Sequence, residues 1–253
     1  VKTMFDLSGK KAIVTGGGRG IGQGTALGLA RQGADVTLWS RTRSELEETA
    51  AMIRDLGRQA WVQVVDVMDV PSVRKAADEA RTAMGRIDIL FNNAGVNVRQ
   101  QALDVDEATY DKIMGINMRG AFFTAQAVGR IMCEQKGGVI INTSSASTQI
   151  AMPDRIVYAA AKNGVNHMTR VMALEWAPCN VRVNGVIPGF VETPMTAGIL
   201  EQESFKTMFN AKSLLPRLVS TDEIAAAVVY IASDEAAMMT GQFICVDAGW
   251  TIH

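Results

Sequence analysis

Cysteine is scarce in this chain of 253 residues, and histidine is scarcer still: three of one, two of the other. Cys133, Cys179 and Cys245 stand far apart, with no C-x-x-C pair and only His167 and His253 to help them. That spacing excludes the usual zinc patterns and a disulfide framework, and it suits three packed thiols in a reducing cytoplasm. No metal is expected. An excess of charge of either sign is also missing, since 25 Lys plus Arg meet 26 Asp plus Glu. Without a strong field the chain has no means of recruiting nucleic acid or an anionic membrane, so a small-molecule substrate is expected. Long apolar runs are absent as well. The longest, Ile224 to Ala232, falls far short of the ~20 residues of a membrane span. The opening stretch VKTMFDLSGKK has no apolar signal core, and the expectation is an unexported, cytoplasmic protein.

What the chain does have is alternation. Short β-branched runs at 11–15, 34–39, 60–65, 87–92, 138–143, 181–187 and 242–246 read as strands, and amphipathic or Ala-rich segments at 43–56, 71–84 and 155–177 read as helices between them. Strands that alternate with helices pair in parallel through right-handed crossovers, which predicts an α/β, doubly wound, Rossmann-type sheet with helices on both faces. No Pro/Gly-rich linker divides the chain, so residues 1–253 are expected to form one dinucleotide-binding domain. One segment breaks the rhythm. Residues 193–218, TPMTAGILEQESFKTMFNAKSLLPRL, are too long for an ordinary connection, and either a substrate-binding lid or a helical hairpin packed on the body fits them.

The first strand runs into TGGGRGIG, Thr15 to Gly22. A strict G-x-G-x-x-G fingerprint is not met, because the spacing is Gly16-x-x-x-Gly20-x-Gly22. The physics is nevertheless similar: a tight glycine turn lets backbone approach a pyrophosphate, and the following helix offers free N–H groups to an anion, placing Arg19 and Ile21 in the same turn. At the end of the second strand, where a carboxylate would signal NAD by accepting from the ribose 2′-hydroxyl, the chain has Trp39-Ser40-Arg41. Arg41 and Arg19 can meet a 2′-phosphate, so NADP(H) is expected over NAD(H).

In YAAAK, Tyr158 to Lys162, a phenol and an ammonium stand four residues apart with only alanines between. On a helix these positions share one face, so both polar heads reach one point. A packed tyrosine beside a solvated lysine fits the pair equally well.

Six motifs in order decide between these readings. TGGGRGIG, NNAG at 92–95, Asn117 within GINMRG, NTSS at 142–145, YAAAK and PGFVET at 188–193 together resemble the short-chain dehydrogenase/reductase family, from about Leu7 to Gly249. The resemblance implies a seven-stranded sheet in the order 3-2-1-4-5-6-7, a homotetramer, and hydride transfer between a nicotinamide cofactor and a carbonyl carbon. It implies that Tyr158 gives or takes the hydroxyl proton, a poor base on its own because a phenol has a pKa near ~10. Lys162 would tune that phenol and hold the nicotinamide ribose. By the same resemblance Ser145, with Ser144 as a competitor, orients the reacting oxygen, and Asn117 anchors a water leading from the lysine to solvent. Asp66 and Val67 would border the adenine, Asn93, Ala94 and Gly95 the adenosine ribose, and Pro188, Gly189 and Thr193 the carboxamide. Two departures stand out: Ala248 in VDAG, where many relatives carry glycine and which bears on subunit packing, and the missing glycine after Arg217.

The wording around NNAGVNVRQQ and the lid is similar to the gluconate 5-dehydrogenase and sugar-acid branch, and less so to the 3-oxoacyl carrier-protein reductases. Arg99 and Arg155, flanking the expected cleft, would pair with a substrate carboxylate; two surface arginines fit the sequence equally well. Two other readings stay open. Met152, Met195 and Met208 could line a site for apolar ketones in a broad carbonyl reductase, and a non-catalytic dinucleotide sensor is a further possibility on such a fold.

Overall fold

The computed structural model describes residues 3–252; Val1, Lys2 and the predicted histidine His253 lie outside them. Among these residues seven strands form one parallel sheet in the order β3-β2-β1-β4-β5-β6-β7. They are β1 (Lys11–Thr15), β2 (Asp35–Ser40), β3 (Ala60–Val64), β4 (Ile89–Asn92), β5 (Gly138–Thr143), β6 (Val181–Pro188) and β7 (Phe243–Val246). The runs expected to be strands differ from them by two residues or fewer at any end. Continuous apolar runs such as Ala12–Val14 and Ile89–Phe91 are wholly buried, as a sheet covered on both faces requires.

One face is covered by α1 (Gly20–Arg31), α2 (Arg43–Asp55) and α9 (Thr221–Ala232), which build a core around Leu29, Leu38, Phe91 and Val228. The other is covered by α3 (Val70–Met84), α5 (Ala121–Gln135) and α6 (Ile156–Trp176), around Ile13, Leu90, Met132 and Met172. Local chemistry sets the ends. Asp69 accepts from the Ser72 N–H at the start of α3, Gly85 ends that helix at φ +78°, and Ser220 and Glu223 close a reciprocal capping box on α9.

Between β4 and α5 the chain forms α4 (Glu107–Met114) and then widens into a π turn over Gly115–Gly120 before α5 continues the same rod. After β6, residues 193–218 carry α7 (Ala197–Leu200) and α8 (Glu203–Lys212). Phe205 and Phe209 of α8 enter a small aromatic core with Phe190 and Trp250, the Phe209 and Trp250 rings stacked at 5.8 Å. Arg217, which lacks its expected glycine neighbour, clamps Glu223 with two hydrogen bonds of 2.8 and 2.6 Å and ties the end of this segment to α9. That bidentate pairing, with the Ser220 backbone donating as well, lowers the Glu223 carboxyl to about 2.

Candidate active site

The carboxyl ends of β1, β4, β5 and β6 open onto one continuous cleft, where a doubly wound sheet places its ligand. Its first half is lined by Gly16, Arg19, Gly20, Ser40, Arg41 and Asp66, with Val67 and Ala94 alongside. The second half, about 380 Å³, is lined by Ser145, Tyr158, Lys162, Asn117, Pro188 and Gly189, a volume that suits a small molecule. Ile21, Asn93, Gly95 and Thr193 belong to both. Residues far apart in sequence thus share one groove. Gly22 is the exception among the expected cofactor residues: it lies behind the loop, where any Cβ would overlap the Gly16 carbonyl.

The first half fits a dinucleotide. Gly16 and Gly20 adopt φ of +65° and +55°, left-handed values that favour glycine. Helix α1 then begins with no side-chain cap, so its first N–H groups and positive dipole end are open to a pyrophosphate. Thr15 fixes the opposite wall, its hydroxyl accepting from the Asn93 and Ala94 N–H groups at 2.8 and 2.9 Å. At the ribose end Arg41 is exposed and has no carboxylate partner among the described residues, whereas Arg19 is paired with Glu45 at 3.3 Å. Glu45, unforeseen in the sequence, also lines the cleft. Its position on the first turn of α2, facing a basic loop, was the available signal.

The second half holds the titrating groups. Tyr158 and Lys162 lie on α6, and burial pushes the phenol above its ordinary value, while the Ser145 hydroxyl and then the Arg155 charge draw it partly back. Ser145 is itself held: its Oγ accepts from the Ser147 hydroxyl at 2.9 Å and from the Ser147 N–H at 3.2 Å. Its own proton is therefore free for the phenol. Ser144 turns instead toward the Thr148 hydroxyl at 3.4 Å. The short turn at Ala146–Thr148 creates this arrangement and gave no sign in the sequence.

Lys162 follows Tyr158 by one turn of α6. Its ammonium lies 5.8 Å from the Tyr158 ring centroid and donates to the Thr143 carbonyl at 2.7 Å. Burial lowers it to about 8. Asn117 sits in the π turn, wholly buried, and donates to Ile113 O at 2.9 Å and Val96 O at 2.8 Å. The widened turn frees a carbonyl that the asparagine satisfies. Between Asn117 and Lys162 lies Gly95, where a Cβ would approach the Asn117 Oδ1 at 2.7 Å and the Lys162 Nζ at 3.7 Å.

Arg99 and Arg155 both line this half. A parallel bridge pairs Gln100 with Arg155, and Asp154 is 3.5 Å from Arg99. The Arg155 guanidinium lies over the Phe190 ring at 5.5 Å, and burial together with the charge of Arg99 lowers its pKa. Met152 and Met195 also face the cleft, whereas Met208 is exposed on α8 and does not line it.

The profile of the enoyl-(acyl carrier protein) reductase family matches residues 16–251. Gluconate 5-dehydrogenase of Gluconobacter oxydans (strain 621H) is 34% identical over 98% of this chain and 97% of its own length. The crystal structure of a short-chain type dehydrogenase/reductase from Mycobacterium marinum superposes with a TM-score of 0.94 at 35% identity, covering 99% of this chain and 98% of that one. That of a gluconate 5-dehydrogenase from Burkholderia cenocepacia J2315, in complex with NADP and tartrate, gives 0.95 at 34% identity and 98% of both chains. A glycine-turn cleft, a Ser–Tyr–Lys cluster and these full-length likenesses lead to one conclusion: the chain belongs to the short-chain dehydrogenase/reductase family and is an oxidoreductase acting on alcohol and ketone groups.

Proposed function

We propose that this enzyme interconverts a secondary alcohol and a ketone on a sugar acid or a closely related polyol, with NADP(H) as its cofactor. One observation carries the substrate reading: two guanidiniums, Arg99 and Arg155, line the cleft beside Tyr158. Two such groups in one pocket form a receptor for a carboxylate. The names of the relatives agree, one of them a gluconate 5-dehydrogenase bound to NADP and tartrate. Arg41, with no carboxylate partner among the described residues, supports NADP(H) over NAD(H).

Bound cofactor supplies or accepts the hydride. The protein's own residues do the remainder. In reduction the Tyr158 phenol, protonated at neutral pH because burial raises it, gives its proton to the carbonyl oxygen, which the Ser145 hydroxyl orients. In oxidation the phenolate takes that proton back. Lys162, in contact with Thr143 O, and Asn117 beyond Gly95 form the route by which the proton reaches solvent. Residues 193–218 act as the lid, anchored by the aromatic core. Helices α5 and α6 carry an apolar hollow walled by Phe122, Met168, Val171 and Trp176, which supports a homotetramer. Three free thiols support a cytoplasmic setting.

The test is oxidation of NADPH and NADH, separately, with keto sugar acids, simple ketones, diketones and a 3-oxoacyl thioester. Turnover of 5-ketogluconate or a close relative with NADPH is the expected result. A wild type that prefers NADH would overturn the cofactor assignment. Met152 and Met195 on the cleft wall favour one second reading, a broad carbonyl reductase, and turnover of apolar ketones alone would establish it.

A further inference from the structure

Seven side-chain polar atoms among the described residues are buried without a hydrogen-bond partner, on Thr25, Arg58, Asn97, Gln100, Thr124, Asn166 and Trp250. Only Asn97 also lines the cleft that holds Ser145 and Tyr158. A buried carbonyl oxygen left without a donor costs about 1–3 kcal/mol, so a fold keeps one where something else supplies the donor. Its neighbours narrow what that is. Asn97 lies on the loop after β4, two residues from Gly95, which adjoins Asn117 and Lys162, and two residues from Arg99. The same loop is stitched to the start of α6 by the Gln100–Arg155 bridge and by the Gln100 N–H donating to Asp154 O at 3.1 Å. That stitching fixes the backbone after Arg99, and Asn117, bonded to both the N–H and the carbonyl of Val96, fixes it just before Asn97.

The cations Arg99 and Arg155 are donors only. The acceptor of Asn97 complements them, and it is unsuited to a carboxylate, which has no proton to give. It is equally unsuited to an alkyl chain. The group that satisfies it is a hydroxyl. We propose that Asn97 determines specificity by accepting a hydrogen bond from a substrate hydroxyl other than the one undergoing reaction, so that the site selects a polyhydroxylated chain. This rests on the sugar-acid reading above and sharpens it: the arginines read the acid, and Asn97 reads the polyol. A pocket built to bond a hydroxyl rejects the analogue lacking it, because the acceptor is then stranded.

The test compares kcat/KM for three ketone substrates in wild type and Asn97→Leu: a polyhydroxylated keto acid, its analogue deoxygenated next to the reacting carbon, and the corresponding ketose without a carboxylate. Wild type is expected to favour the hydroxylated acid over the deoxy analogue by about tenfold to a hundredfold. Asn97→Leu is expected to erase that ratio while keeping the preference for the carboxylate, to leave the Kd for NADPH within error, and not to lower the thermal melt, since the stranded acceptor is gone. Asn97→Asp, which retains an acceptor, should keep the hydroxyl preference and weaken that for the acid, since its charge competes for Arg99. Equal loss on all three substrates, an unchanged hydroxyl ratio, or a loss confined to NADPH binding would each overturn the role given to Asn97. A carboxylate preference missing from wild type while the hydroxyl ratio vanishes in Asn97→Leu would overturn the sugar-acid reading and leave Asn97 in place.

Discussion

At Lys162 two demands conflict, and burial decides between them. An ammonium removed from water loses hydration, and a single strong contact, the 2.7 Å bond to Thr143 O, replaces only part of it. The result is a lysine lowered to about 8, close to working pH. Such a group is charged below that value and neutral above it. A charged Lys162 is the form that can pass a proton to Tyr158 in the reductive direction and bind an electron-rich ribose. The expected outcome is that kcat/KM for ketone reduction stays level below about pH 8 and falls as pH rises through it. A profile level to about pH 10, where an ordinary lysine titrates, would show that the charge of Lys162 does not govern the rate. Tyr158 is displaced the other way, upward, and stays protonated across the same window, so the descending limb belongs to the lysine.

At the scale of elements, the end of the segment 193–218 is held by a strained residue. Ala248 adopts φ +58°, a left-handed conformation that costs a non-glycine residue about 1–2 kcal/mol. Its carbonyl accepts from the Leu214 and Leu215 N–H groups at 3.1 and 3.2 Å, and the Asp247 carboxylate braces the turn by accepting from Gly249 N and Thr251 N. The departure in VDAG therefore bears on where residues 214–215 dock. Ala248→Gly removes the strain but loosens the unfolded chain by about 0.4–1 kcal/mol, leaving a net gain of about 0.5–1 kcal/mol and a rise in Tm of about 1–3 °C. A fall in Tm would mean the turn is not strained. The seven strands were legible because each is an apolar, β-branched run between polar turns; their parallel pairing follows from alternation with helices, whereas their order was implied by the family resemblance alone. The residues expected to be catalytic were named by the resemblance of six ordered motifs, since the spacing of Tyr158 and Lys162 alone left a packed tyrosine open. Ser147, Glu45 and Asn97 were not: Ser147 reaches Ser145 only through the short turn at Ala146–Thr148, and Glu45 and Asn97 join the cleft only where distant segments meet. The π turn at 115–120 was equally hidden, since GINMRG carries no proline or other break that sets it apart from helix.

For the whole molecule, the sheet divides labour between its two faces. One face, with α1 and α9, carries the cofactor turn. On the other, α5 and α6 carry the π turn and the Tyr158–Lys162 pair, and these two helices also leave an apolar surface uncovered. Val171 is 40% exposed and Leu174 78% on the outer side of α6, beside the hollow of Phe122, Met168 and Trp176. Contiguous apolar surface of this kind marks an association face more often than solvent boundary. The same helices are coupled to chemistry, because Gly164 allows Met118 of the π turn to pack so closely that an added Cβ would lie 2.8 Å from its Sδ. A charge at Val171 should therefore affect assembly first and activity second. Val171→Glu is expected to sediment as a smaller species than wild type, with kcat reduced about two- to tenfold and the fold intact by circular dichroism. Unchanged size would remove α5 and α6 as the assembly face. A smaller species with full kcat would show that the site stands complete within one subunit, its helices held by the core alone.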